Sequence, residues 1–195
     1  MAEEQDEKTA LILDAAEKRF VRYGFRRTSM DDIAREAGLS RPTLYLYFRN
    51  KEDIFLSLSR KLHEEALERA RSALEGQGDF ARRLTRAFEG WSVEFVAMIY
   101  GWPHAAEIVD ASHRLGREIS ADAKARFQKL VADALRRASR KGEIDLSATG
   151  LSPARAAETL VLASKGLHGE GDDVDIYRGR LEALLKVFLA GWRPR

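Results

Sequence analysis

Residues 28–51 constrain this chain more than any other stretch, because they specify two short helices and the turn between them. Thr28 or Ser29 can cap the first helix, with Asp31 or Asp32 in its first turn, where the helix dipole favours negative charge. Ile33, Ala34 and Ala37 give that helix an apolar face. Gly38 can take the left-handed conformation that ends a helix. Ser40 then caps a second helix, and Pro42 is tolerated in its first turn, where the missing N–H had no intrahelical partner. Helix, glycine-containing turn, helix is the helix-turn-helix plan, whose second helix enters the major groove of DNA.

The second helix supports that plan through the groups it leaves outside. Leu44 and Phe48, four apart, can share a buried stripe. Arg41, Thr43, Tyr45 and Tyr47 are more polar or long groups than so short a helix can bury. An arginine can fork onto guanine O6 and N7, and the Thr and Tyr hydroxyls, with Lys51, suit phosphate oxygens. The competing reading is a surface helix whose tyrosines pack on neighbours. The coincidence of caps, glycine and donors at one spacing speaks against it, and the charge distribution adds a separate signal. Between Glu17 and Lys51 nine basic residues face four acidic ones, a segment of +5 in a chain whose net charge is +2. A basic patch on one small module is the footprint of a polyanionic partner.

The remaining chain reads as helical. An acidic leader, residues 1–7, is expected to be disordered, and a first amphipathic helix runs from about Lys8 to Tyr23. Ile12, Ala16, Phe20, Phe25, Ile33, Ala37, Leu44 and Phe48 then share one small core. Asn50 can cap a connecting helix over residues 52–74. Apolar residues repeat at threes and fours from Phe80 to Met98, and helices follow over 103–114, 120–141, 153–167 and 175–192. The expectation is an all-α chain of about nine helices, with a three-helix head over residues 6–66 and a second helical domain over 67–195.

The composition closes off other chemistry. With no cysteine there is no disulfide, thiol nucleophile or cysteine metal site. No apolar run approaches the roughly 18 residues of a membrane span, and the N-terminus lacks the pattern of a signal peptide, so no membrane partner is expected and the cytoplasm is the expected compartment. No metal or cofactor is expected: His104 and Glu107 could meet on one helix face, but Asp110 and His113 rotate away from them. No nucleophile elbow, P-loop or dinucleotide fingerprint occurs, so nothing points to an enzyme.

From Thr9 to Phe55 the chain resembles the DNA-binding domain of the TetR/AcrR family of bacterial transcriptional regulators. The resemblance is carried by residues 12–16 with Phe20 and Gly24-Phe25, then Thr28, Ile33-Ala34 and residues 37–40, then residues 43–45 with Tyr47-Phe48 and Asn50-Lys51-Glu52. It implies that Ser29–Phe48 is the helix-turn-helix. It also implies that Arg41 reads bases, that Pro42, Thr43, Tyr45 and Tyr47 line the groove or touch phosphates, and that Lys51 holds a phosphate. Leu46 departs from the family, where a polar or aromatic residue is common, and could instead meet a thymine methyl. The candidate DNA-binding set is thus Thr28, Ser29, Ser40, Arg41, Pro42, Thr43, Tyr45, Leu46, Tyr47 and Lys51.

The family further implies a homodimeric repressor that leaves a palindromic operator when a small-molecule effector binds its C-terminal domain. Trp91, Phe95, Met98, Trp102, His104 and His113 are candidates to line that cavity, Trp102 and His104 foremost because they flank a Gly-Pro break. Leu160, Ser164 and Leu167 on one helix, with Leu181, Leu184, Leu185, Phe188 and Trp192 on the last, are candidates for a dimeric four-helix contact. Two alternatives stay open: a regulator of the same fold that activates or answers to a protein partner, and a helical ligand-binding protein or enzyme whose basic segment is incidental.

Overall fold

The computed structural model describes residues 2–93, 96, 101–167, 169 and 173–194. Among them are nine α-helices: α1 (Ala2–Tyr23), α2 (Met30–Glu36), α3 (Arg41–Tyr47), α4 (Lys51–Glu75), α5 (Phe80–Phe88), α6 (Ala105–Leu115), α7 (Arg117–Arg140), α8 (Pro153–Lys165) and α9 (Val174–Gly191). The all-α class expected from periodicity is the class observed. The acidic leader is a correction, since α1 already begins at Ala2. Acidic residues at a helix N-terminus oppose the dipole favourably, and Glu4 pairs with Lys8 one turn on at 2.8 Å. Residues 80–98 are not one uniform helix either. After Phe88 the chain takes a π-helical turn over Glu89–Val93, and Phe95 and Met98 lie outside the described residues.

The helices gather into two compact units, residues 1–63 with 98–120, and residues 64–97 with 121–195. The first unit holds the small core read from the sequence: Ile12, Ala16, Phe20, Phe25, Ile33, Ala37, Leu44 and Phe48 are all buried. Phe20, Phe25 and Phe55 form an aromatic triangle, with ring centroids 5.2–6.0 Å apart. So small a core needs more apolar surface than three helices supply. It obtains it from Ile54, Phe55 and Leu58 of α4 and, unforeseen, from Ile108 and Ala111 of α6. The Gly24–Thr28 loop is fastened to α6 as well. The Arg26 backbone N–H donates to Glu107 at 3.2 Å, and the Arg26 guanidinium pairs with Asp110 at 3.4 Å. Gly24, at φ +83°, leaves no room for a side chain: a Cβ there would lie 2.6 Å from Glu107 Oε2.

The second unit buries Leu67, Ala70 and Leu74 of α4 with apolar faces of α5, α7, α8 and α9. Here the expected dimer face needs correction. Leu160, Ser164, Leu181, Leu185 and Trp192 are all buried within their own unit and have no surface to offer a partner. The leucine-rich stripe on the last helix is spent on that core, where Tyr177, Leu181 and Leu185 are buried. Leu167, Leu184 and Phe188 pack at its margin, half-buried. The apolar groups that do stand outside on these two helices are Leu162, Ile176 and Val187.

Candidate nucleic-acid interface

Local rules build α2 and α3 almost completely. Ser29 caps α2 through a capping box: its hydroxyl accepts from the Asp32 N–H at 3.2 Å, while the Asp32 carboxylate accepts from the Ser29 N–H at 3.0 Å and from its hydroxyl at 2.6 Å. Those hydrogen bonds hold the Asp32 carboxyl below the usual carboxylate range, with Arg19 and Arg35 adding to the effect. Gly38 closes α2 at φ +67°, and the Leu39 N–H reaches back to the Ala34 carbonyl at 2.9 Å, the long bond of a Schellman ending. Ser40 caps α3, with its hydroxyl accepting from the Thr43 N–H at 3.2 Å and sharing a 2.7 Å hydrogen bond with the Thr43 hydroxyl.

On α3 only Leu44 is buried, at 0% exposure. Arg41, Pro42, Tyr45 and Leu46 are exposed, whereas Thr43 and Tyr47 are half-buried, with Tyr47 packed on the core. The outward face is thus the one expected to meet DNA. Two details were not legible in the sequence. Arg41 pairs with Asp31 of α2 at 3.0 Å and its guanidinium carbon lies 5.6 Å from the centre of the Tyr45 ring, so the free head holds this arginine across α2 and α3. Both partners are well exposed, and such a pair contributes about 0–1 kcal/mol.

Thr28 and Lys51 are placed differently from the other candidates. Thr28 is buried, and its hydroxyl donates to the Gly24 carbonyl at 2.8 Å. The Lys51 ammonium donates to the carbonyls of Phe25, Arg26 and Thr28 at 2.8, 3.2 and 3.0 Å, and it lies 4.6 Å from the Phe25 ring centre. An ammonium has three N–H donors, and three carbonyls occupy them. In this geometry Lys51 fastens the loop ahead of α2 and has no donor to spare.

Among the basic residues of the head, Lys18, Arg22 and Arg27 form no ion pair among the described residues. Arg22 instead lies over the Tyr23 ring at 5.2 Å. Arg27 is exposed two residues before the α2 cap. It belongs to the basic segment between Glu17 and Lys51. The signal that finds it is an exposed cation without a carboxylate, next to a helix N-terminus.

The candidate effector residues that the structure describes fall in both units, and Phe95 and Met98 lie outside the described residues. Trp91 belongs to the second unit, where it stacks on Phe127 at 4.5 Å within the π-helical turn. Trp102, His104 and His113 belong to the first unit: Trp102 packs on the head core, His104 precedes α6, and His113 is exposed. Among the described residues no group of three or more His, Asp or Glu side chains could hold a metal ion, and no helix is long and apolar enough to cross a membrane.

A capped α2, a left-handed glycine, a capped α3 with one buried anchor and an exposed polar-apolar face define a helix-turn-helix protein of the all-α class. Residues 12–58 match the family described as bacterial regulatory proteins, tetR family. The chain is 35% identical over 81 residues to the uncharacterised HTH-type transcriptional regulator YhgD of Bacillus subtilis, a match covering 42% of each protein. It is 33% identical over 87 residues to the HTH-type transcriptional activator FasR of Mycolicibacterium smegmatis, covering 45% of this chain and 40% of FasR. Either match thus spans about two fifths of the relative's length. A solved chain from Rhodococcus sp., assigned to the TetR family of transcriptional regulators, superposes over 94% of this chain and 99% of its own with a TM-score of 0.68 at 28% identity. Residues 12–58 are thus similar to the DNA-binding domain of TetR-family transcription regulators, and the whole chain shares the fold of solved members of that family.

Proposed function

We propose that this protein binds double-stranded DNA through α3 and acts as a homodimeric transcriptional repressor, released from a palindromic operator by a small molecule held in its second unit. The observation that carries the DNA-binding part is the outward face of α3: Arg41, Pro42, Tyr45 and Leu46 stand exposed on a helix anchored by Leu44 alone, in a segment of +5. Arg41 is the base reader, able to leave Asp31 for guanine. Ser29, Ser40, Thr43, Tyr45 and Tyr47 line the approach to phosphates, and Arg27 joins them. The working compartment is the cytoplasm, where the DNA is.

Dimerisation is supported by the apolar residues that α8 and α9 leave outside, Leu162, Ile176 and Val187, with Leu167, Leu184 and Phe188 at their margin. A two-fold pair of heads doubles the contacts of a module that is weak alone. The effector site is supported by the region of Trp91. A π-helical turn follows α5 there, and such turns concentrate at functional sites. Nearby in the core, burial pushes the Tyr177 phenol up and a hydrogen bond to Ser92 moderates the shift, so that a polar handle lies in an apolar setting. Release requires that the effector favour the form that does not bind DNA, and a coupling of about 1–3 kcal/mol changes operator affinity roughly 5- to 150-fold.

The test is a mobility shift with duplex DNA from upstream of the protein's own gene, at several salt concentrations, followed by a thermal-shift screen for effectors and their effect on the complex. Binding whose affinity falls steeply with salt and is abolished by a stabilising compound is the expected result. Absence of any binding to duplex DNA at low ionic strength rejects the reading. The likeness to FasR favours one second reading, an activator of the same fold. A reporter gene that loses expression when the protein is deleted would select it.

A further inference from the structure

We infer that the outermost ridge of α3, formed by Pro42 and Leu46, reads C5-methyl groups in the major groove, so that thymine methyls help to set the preferred DNA sequence. The inference rests on the reading of α3 as a groove-entering helix and specifies what that helix selects. An α-helix turns about 100° per residue, so with the buried Leu44 taken as the inward direction, Pro42 and Leu46 lie roughly 160° and 200° away. They stand opposite the anchor, on the line that reaches deepest into a groove. Arg41 and Tyr45 lie to one side of that line, Thr43 and Tyr47 to the other.

Exposure agrees with this geometry. Leu46 is 81% exposed, more than the other large apolar side chains that stand outside among the described residues. The polar groups of α3 are directed away from the ridge: Arg41 to Asp31, and the Thr43 hydroxyl to that of Ser40. At the ridge itself neither side chain carries a donor or acceptor, and proline has no N–H to give. Among base edges in the major groove, the one apolar group of the unmodified bases is the thymine C5-methyl. A ridge of this kind gains affinity by removing methyl surface from water and gains nothing from the hydrogen-bonding pattern of the other bases.

The experiment removes the methyl alone. Duplexes that bind the full-length protein are first selected from a randomised pool. Each thymine of the best duplex is then replaced singly by uracil, which keeps the hydrogen-bonding edge. At one or two positions in each half-site, uracil should weaken binding roughly fourfold, the worth of one buried methyl-sized group. Leu46→Ala should lose the discrimination at its own position, whereas Arg41→Ala should keep it. Since Leu46 is exposed, Leu46→Ala should leave the thermal melt unchanged, which a circular-dichroism scan verifies. Uracil tolerated at every position, by a protein that otherwise binds DNA tightly, overturns the inference and leaves the DNA-binding reading standing. Uracil sensitivity that survives in both Leu46→Ala and Pro42→Ala overturns the assignment to this ridge. Failure to select any duplex overturns both readings.

Discussion

The two units of this molecule put similar helices to different uses. In the first unit a helix of seven residues, α3, buries one side chain and leaves most of its surface outside. In the second unit α9, with 18 residues, turns its main apolar stripe inward, and Leu181 and Leu185 disappear into the core. The difference teaches that an apolar stripe reports a buried face without saying what buries it. On α3 the polar and apolar groups outnumber what the core can take, and the surplus is what supports reading this face as an interface. On α9 the same argument fails, because the core of the unit consumes the stripe.

Substitutions can break this contrast. Leu185→Asp places a carboxylate where a side chain is 1% exposed, and it should cost more than about 4 kcal/mol and unfold the second unit. Val187→Asp, two residues on at 71% exposure, should leave the melt nearly unchanged while weakening self-association in sedimentation. If both variants behave alike, the division between core and outer face on α9 is mistaken.

In the first unit the comparable experiment is Lys51→Met. It keeps the stem over Phe25 and removes the ammonium from three carbonyls, so chemical denaturation should show a loss of about 1–3 kcal/mol. A lysine that chiefly held a phosphate would instead leave stability intact and reduce the salt dependence of DNA binding. Acid provides a smaller effect. The Asp32 carboxyl is held low in the folded head, so the stability it contributes is present above its unfolded-state value and is lost as the pH falls through the lower folded value. Thermal melts between neutral and acid pH should therefore show a downward shift that Asp32→Asn reduces. The least effect on stability is expected for Arg27→Gln. Its melt should match that of the unaltered protein, while the slope of log affinity against log salt becomes shallower by about one, a single phosphate contact.

Much of the head was legible because its signals act over a few residues. Ser29 and Ser40 cap because their hydroxyls reach N–H groups three residues on, and Gly38 ends α2 because its own backbone must turn left-handed. The buried set from Ile12 to Phe48 follows from helical spacing. The same spacing misassigned Leu160, Ser164, Leu181, Leu185 and Trp192 to a partner, since periodicity fixes a face and not its cover. Lys51 was read for its charge, which sequence shows, rather than for the three carbonyls around it, which it does not.

The amino-acid sequence by itself determined the all-α class, the two capped helices with their glycine turn, and the groups that α3 presents outward. Each depends on interactions within one or two helical turns. Only the tertiary structure decided that α6, some eighty residues further along the chain, completes the core of the head and holds Arg26 through Glu107 and Asp110. Only it decided that Arg41 pairs with Asp31 of α2. The physical reason is that hydrogen bonds and caps close short loops, whereas burial and charge pairing between distant segments depend on which of many compatible surfaces the whole chain brings together.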